Sequence, residues 1–412
     1  VPSNVQPLWT AKVGGRLTQP VIAEGKVFIA SMDEHTVYSL DVETGRRSWS
    51  FTAGGRINSP PTLHNGLVLF GCRDGWVYCL RTNDGMLAWR FRAAPNERKI
   101  VAFGQLESAW GVHGSVLVVD DTAYFAAGRS SFLDGGIYLY ALEPTTGEVL
   151  HRAHLDGPWP DVHKDQGQPF HMEGAKTDVL VSDGTHLHMF HNKFDLELNQ
   201  VKTVPRGAGG DRVTGLHLTA TSGLLDNTLH DRFYWFHNRL WPGSHFAVQG
   251  PKSGHILVFD EETTYGQRAF SRRERLSPKF TPGREGYLLF ADHGDTEPIM
   301  SRRSGRGTEY RPSKSPKWSV HVPIRALAMV LTKDVLFLAG PPDIVPQEDP
   351  YAGFEGRAGA KLLAVSPENG EQLSELQLET LPVFDGMSAG HGRLFLAQAD
   401  GTVISMGNHL GH

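Results

Sequence analysis

The feature that most constrains this chain is a repeat with a period of 40 residues. Val27-Phe28-Ile29-Ala30, a turn, and Val37-Tyr38-Ser39-Leu40 lead through Gly45 to Trp49. The same pattern returns as Leu67-Val68-Leu69-Phe70, a turn, and Val77-Tyr78-Cys79-Leu80, leading through Gly85 to Trp89. Weaker copies run from Ile137-Tyr138-Leu139-Tyr140 to Thr146-Gly147 and from Lys361-Leu362-Leu363-Ala364 to Asn369-Gly370, and a half copy over 392–404 ends the chain. Each unit reads as four short strands, β-branched and aromatic, with Asp-Gly, Asn-Gly or Thr-Gly in the turns. Four strands per unit of about 40 residues predict an all-β fold, a β-propeller of four-stranded antiparallel blades. Period-two alternation excludes a helical repeat of similar length. The count is eight blades, with seven as the alternative, in one domain over 1–412. Trp9 precedes Gly14-Gly15-Arg16 as Trp49 precedes Gly54-Gly55-Arg56. The N-terminal strand around Trp9 is therefore expected to complete the last blade and close the ring, which removes open sheet edges.

The pattern Tyr-x-Leu-x-x-x-x-Gly-x-x-x-Trp, complete from Tyr38 to Trp49 and from Tyr78 to Trp89, resembles the repeat of the quinoprotein alcohol dehydrogenase-like propellers, the pyrroloquinoline-quinone-like repeats. The resemblance implies that each Trp docks its blade onto the next. It covers about half of the chain. His151 and Ser374 stand at the Trp place in two later units, and 155–320 follow only the rhythm. The group includes quinone-dependent dehydrogenases and noncatalytic outer-membrane assembly factors, so it implies export to a periplasmic or extracellular location by fold analogy. The dehydrogenases of the group carry a vicinal Cys-Cys pair and a Ca²⁺ site beside the cofactor. This sequence has neither Cys-Cys nor Cys-x-x-Cys-His, and pyrroloquinoline quinone is not expected.

Charge limits the partners. The formal net charge is −5, without the basic surplus that nucleic acid attracts. No stretch of about 18 apolar residues spans a bilayer. The chain opens on Val1-Pro2-Ser3 without a methionine or a signal-peptide pattern, which reads as a processed or trimmed end. The arginine-rich stretch 268–311 has interspersed acids and reads as a solvated face. The only cysteines, Cys72 and Cys79, flank Asp74-Gly75. Folding about that turn places Cys72 opposite Val77 and one diagonal step, roughly 7–8 Å, from Cys79, which suits two inert thiols better than a disulfide.

In a propeller the innermost strand of each blade lines a central channel, and the loop leading into it shapes the mouth. Counting back from the turns that end these strands places Arg16, Arg56, His113, Lys176, His255, Arg325 and Asp385 at the mouth. Converging cations in an acidic protein suggest an anionic ligand, since the guanidinium fork binds carboxylate, sulfate or phosphate in a bidentate manner; pairing with blade-turn carboxylates is the alternative. Glu107, Trp110 and His113 share a long loop where function tends to reside, with Trp110 as a sugar-stacking ring or an inter-blade plug. Twelve of the 20 histidines lie between His151 and His255. His186 and His188, two apart on one strand, face one side and are candidate ligands for a divalent metal (Ca, Mn or Zn), with His171, His217 or a carboxylate as a third, unless they simply pack between blades. Arg129 and Asp134 lie in an expanded turn, either at the same mouth or bonded to each other. His230, Arg232 and Tyr234 form a Tyr/His/Arg set suited to removing a proton beside a uronate carboxylate.

Two main readings follow. One is a mouth pocket that binds an acidic carbohydrate and cleaves it by β-elimination or with a metal. His113, His171 or His230 would be base, Tyr234 acid, and Glu107 a further catalytic carboxylate. Arg16, Arg56, Lys176, Arg232, Arg325 and Trp110 would hold substrate. The other is a noncatalytic scaffold for protein partners. A quinone-linked oxidoreductase is a third.

Overall fold

The computed structural model describes residues 1–102, 104–159, 174–203, 212–220, 235–241, 250–269, 273–274, 277–278, 281–302 and 308–408. Every named element among them is a β-strand. Eight antiparallel blades form the ring. Seven have four strands, and the fifth shows three described strands, Arg212–Ala220, Trp235–Trp241 and Ser253–Gly254. The inner strands, among them Val21–Ala23, Thr62–His64, Leu117–Val119, Leu180–Ser182, Ile256–Phe259, Ala328–Leu331 and Pro382–Gly390, contact one another in sequence around the axis. Closure follows the sequence expectation. Gln6–Lys12 pairs with Thr402–Gly407 as the outer strand of blade eight.

The hydrophobic pattern explains the layering. Lys26–Ser31 and Leu67–Gly71 are covered on both faces and read as continuous apolar runs, whereas the outer strand Arg47–Thr52 buries one face and alternates. The cores lie between blades. Phe28, Ala30 and Trp49 of blade one pack with Val68, Phe70, Tyr78 and Leu80 of blade two. Blade pairs two–three, three–four, six–seven and seven–eight repeat the arrangement.

Tryptophans fasten these interfaces. Trp9 Nε1 donates to Val42 O at 3.1 Å, Trp49 to Thr82 O at 2.9 Å and Trp89 to Pro144 O at 2.9 Å. Each ring covers a glycine of the next blade, Gly45, Gly85 and Gly147, whose φ values are near +70°. A Cβ at Gly85 would lie 2.6 Å from the Trp49 ring, so this place requires both the left-handed conformation and the missing side chain. Trp318 does the same in blade six, donating to Pro367 O at 2.9 Å over Gly370, although the sequence around it follows only the rhythm. His151 and Ser374 occupy the tryptophan register opposite Ala141 and Ala364.

The cysteine hairpin is one residue out of the expected register. Gly71, not Cys72, faces Val77, because Arg73 is absorbed into the turn and Cys72 N–H donates to Trp76 O. Both thiols are free and buried. Burial pushes the Cys72 thiol well up and the Cys79 thiol to about 12.

Candidate functional site: the mouth of the channel

Seven of the eight inner strands end at the turns expected from the sequence, Glu24-Gly25 through His391-Gly392. The residues before those strands consequently emerge on one face of the ring. The loops joining second and third strands emerge there too, and they decide what the mouth cations do.

Blade one contributes Asp33, which stands between two of them. Its carboxylate lies 2.8 Å from Arg56 Nε and 3.6 Å from Arg16 Nε. Arg56 is buried and Arg16 half-buried. Gly15 beside them packs against Ser31, where a Cβ would overlap the hydroxyl. Blade two contributes Arg73, which the sequence reading did not single out. It is buried, its Nε donates to Glu107 Oε2 at 2.7 Å, and its Nη1 donates to His113 Nδ1. A guanidinium carries only donors, so Nδ1 accepts and the ring proton sits on Nε2. Burial, then the Arg73 and Arg129 charges, push the His113 imidazole well below its ordinary value. Glu107 is 1% and His113 3% exposed. Glu107 lies on the second strand of a two-stranded ribbon, Lys99–Ala102 with Gln105–Ser108, rather than on an irregular loop. Blade three contributes Asp134, 2.7 Å from Arg129 and 3.3 Å from Arg98. The 129–136 turn is thus bonded to itself, the structural alternative of the sequence reading.

The other mouth residues have separate environments. Lys176 is exposed, and its backbone bridges to Ser130. Arg325 lies 4.9 Å over the Phe354 ring. Its charge adds to burial in pushing His255, whose Nε2 is 3.2 Å from Ala326 O, down to about 4. Burial alone raises Asp385 to about 7. Trp110 does not present a sugar-stacking face. It is 4% exposed and packs with Ala93, Ala94 and Val112 in the core between blades two and three.

His188 is buried with Nε2 2.9 Å from Asp183 Oδ2, and His186 Nδ1 lies 3.6 Å from the other oxygen of the same carboxylate. His217 stacks on His188 at 3.8 Å and turns its nitrogens to Gly215 O and Thr219 Oγ1. Among the described residues no group of three His, Cys, Asp or Glu is placed to hold a metal ion. Burial depresses His217 and His237 to about 4, and His237 stacks on Phe259. His188 and His217 thus stack across one blade boundary and His237 and Phe259 across the next, while His186 stays half-buried beside Thr185 and Asp183 of its own turn. His171, His230, Arg232 and Tyr234 lie outside the described residues. In the arginine-rich stretch, Arg268 stacks on Phe290 and Arg284 is exposed.

The fold and its docking tryptophans define the class: this chain is an eight-bladed β-propeller, and its first repeats are similar to the pyrroloquinoline-quinone-like kind. Residues 4–182 match the family described as outer membrane protein assembly factor BamB, which covers less than half of the chain. BamB from Moraxella catarrhalis is similar in structure, with a TM-score of 0.53 at 12% identity over 98% of this chain and 100% of that one. Quinohemoprotein alcohol dehydrogenase from Comamonas testosteroni is similar with a TM-score of 0.59 at 14% identity, over 99% of this chain and 77% of that one. Quinohemoprotein alcohol dehydrogenase ADHIIG from Pseudomonas putida HK5 is similar with 0.56 at 12%, over 98% and 76%. At such identities the likeness is one of fold. A comparison with curated proteins finds no match. The sequence contains no vicinal cysteine pair. Cys72 lies just past the strand Leu67–Gly71 and Cys79 within Trp76–Arg81, both buried, and among the described residues no group of three His, Cys, Asp or Glu could hold a metal ion.

Proposed function

We propose that this chain is a noncatalytic scaffold, one propeller domain over 1–412, that docks protein partners on the mouth face at the cell envelope. The observation that carries the reading is the internal pairing of the mouth. Asp33 takes Arg16 and Arg56, Glu107 takes Arg73, and Asp134 takes Arg98 and Arg129. These five arginines hold loops in place, which supports structural roles for them over capture of an acidic carbohydrate. The same face carries large apolar side chains on projecting segments: Val101 (76% exposed), Leu106 (65%), Tyr351 (66%) and Phe354 (62%). Exposed apolar groups of this size on fixed loops suit a protein interface. The match of 4–182 to an outer membrane protein assembly factor supports the same reading.

The test is site-specific photocrosslinking in cells. A crosslinking residue at Leu106 or Tyr351 is expected to give discrete protein adducts, and one at Leu373, which opens an outer strand away from the mouth, is expected to give none. Absence of adducts from every mouth position, together with release of unsaturated product from a polyuronate, would replace the scaffold reading with the carbohydrate one.

A further inference from the structure

The mouth face carries two apolar patches of opposite charge, nearly across the channel from each other. The first belongs to the junction of blades two and three. Val101 and Leu106 are directly opposed on the outward side of the ribbon, and Leu133 is exposed on the adjoining turn. The ribbon is fixed by Glu107 on Arg73, by His35 Nε2 with Gln105 Oε1 at 2.8 Å, and by Arg98 on Asp134. Around it stand Arg92, Arg98, Lys99 and Arg129 against Glu97 and Asp134, a net of two positive charges.

The second patch is the 341–359 loop of blade seven. It exposes Ile344, Val345, Tyr351 and Phe354. Arg357 clamps it through Asp349 at 2.7 Å and through Glu355, and Gly353 lies so close to the Pro342 and Ile344 carbonyls that a side chain there would not fit. Asp343, Glu348, Asp349 and Glu355 stand against Arg325 and Arg357, a net of two negative charges. Tyr, Phe and Arg are enriched in protein interfaces, and on a preorganised loop little ordering cost remains at binding.

Each patch is the complement of the other, in charge and in apolar character. We infer that the occupant of this face is a second copy of the chain. A two-fold axis lying in the plane of the mouth face sets the ribbon of each copy on the blade-seven loop of the other, and the two channel mouths face each other. Such an isologous pair uses both patches twice and leaves neither exposed. The inference rests on the reading of the mouth as a docking face and narrows its partner.

Analytical ultracentrifugation of the whole chain over micromolar to submillimolar concentrations tests it. A reversible dimer that weakens with added salt is expected. Leu106→Asp and Phe354→Lys should each weaken dimerisation by about 100-fold or more, as for a truncated interface anchor. Lys99→Glu or Glu348→Lys alone should weaken it by roughly 10-fold, and the two together should restore it, because each copy then presents the swapped pair. The restoration separates an interface effect from misfolding, and Leu373→Asp should leave the dimer unchanged. A monomer at every concentration, or a dimer indifferent to both Leu106→Asp and Phe354→Lys, overturns the inference. Photocrosslinking then distinguishes the two levels. Adducts at twice the chain mass support self-association, adducts of other masses keep the docking face but overturn this occupant, and no adducts overturn both.

Discussion

Replacing Gly85 by Ala tests the physical basis of blade docking, because the chain contains its own control. Gly85 and Gly25 both have φ of +70°. A Cβ on Gly25 meets nothing within 4 Å, whereas one on Gly85 lies 2.6 Å from two atoms of the Trp49 ring. Gly25→Ala therefore measures the left-handed penalty alone, about 1–2 kcal/mol. Gly85→Ala adds the displacement of a ring that is 9% exposed and hydrogen-bonded to Thr82 O. Overpacking costs about 1–3 kcal/mol, and straining the bond adds about 1 kcal/mol, so a total near 3–6 kcal/mol is expected. Trp49→Ala alone should cost about 3–5 kcal/mol. In that background Gly85→Ala should fall to the cost of Gly25→Ala, since its obstacle is gone. Urea unfolding followed by far-ultraviolet circular dichroism gives all four values. Equal costs for Gly25→Ala and Gly85→Ala, or no coupling in the cycle, would show that the Trp–Gly contact does not fasten the blades.

Three further outcomes follow from the buried charges. Glu107→Gln leaves the Arg73 cation buried without its carboxylate and should destabilise by about 3–5 kcal/mol, read as a lowered Tm; a change within error would mean that the pair is dispensable. His217, His237 and His255 titrate near 4 when folded against about 6.5 unfolded. Their folded values are depressed, so the unfolded chain binds more protons between those limits and stability must fall as pH drops from about 6.5 through 4; His237→Phe should flatten this decline, and an unaltered profile would contradict it. Asp385 has the opposite sign for an acid. Its folded value near 7 exceeds the unfolded 3.8, so stability is lost as pH rises through that window, and Asp385→Asn should gain about 2–4 kcal/mol at pH 8 while changing little at pH 4.

Much of the architecture was legible in the sequence because propeller blades are local. The partners of a strand lie within one unit, so alternation and turn residues suffice to place Val27–Ala30 beside Val37–Leu40. Even the long-range closure by Trp9 could be read, since it copies the Trp49 context. Trp318 was missed because Ala291, its register partner, comes 27 residues earlier in a blade that interposes a ribbon, Pro298–Arg302 with Thr308–Pro312, between strands. Arg73 was missed for another reason. It looks like an ordinary turn residue before Asp74-Gly75, and its partners Glu107 and His113 come from the next blade. One signal was available: Asp33 stands 40 residues before it, so a charged residue occupies the same turn in both repeats.

Strand order within a blade and ring closure were therefore determined by the chain's periodicity, through local pairing and patterned burial, whereas the choice of eight blades over seven came from the tertiary structure. The chemical character of the mouth was decided only in three dimensions. A list of cations at aligned positions carries their sign, but whether they attract a ligand depends on which carboxylates stand within about 3–4 Å. Asp33, Glu107 and Asp134 reach them from neighbouring loops. Coulomb energy depends on distance and dielectric rather than on order along the chain, so this pairing becomes visible only when adjacent blades are brought together.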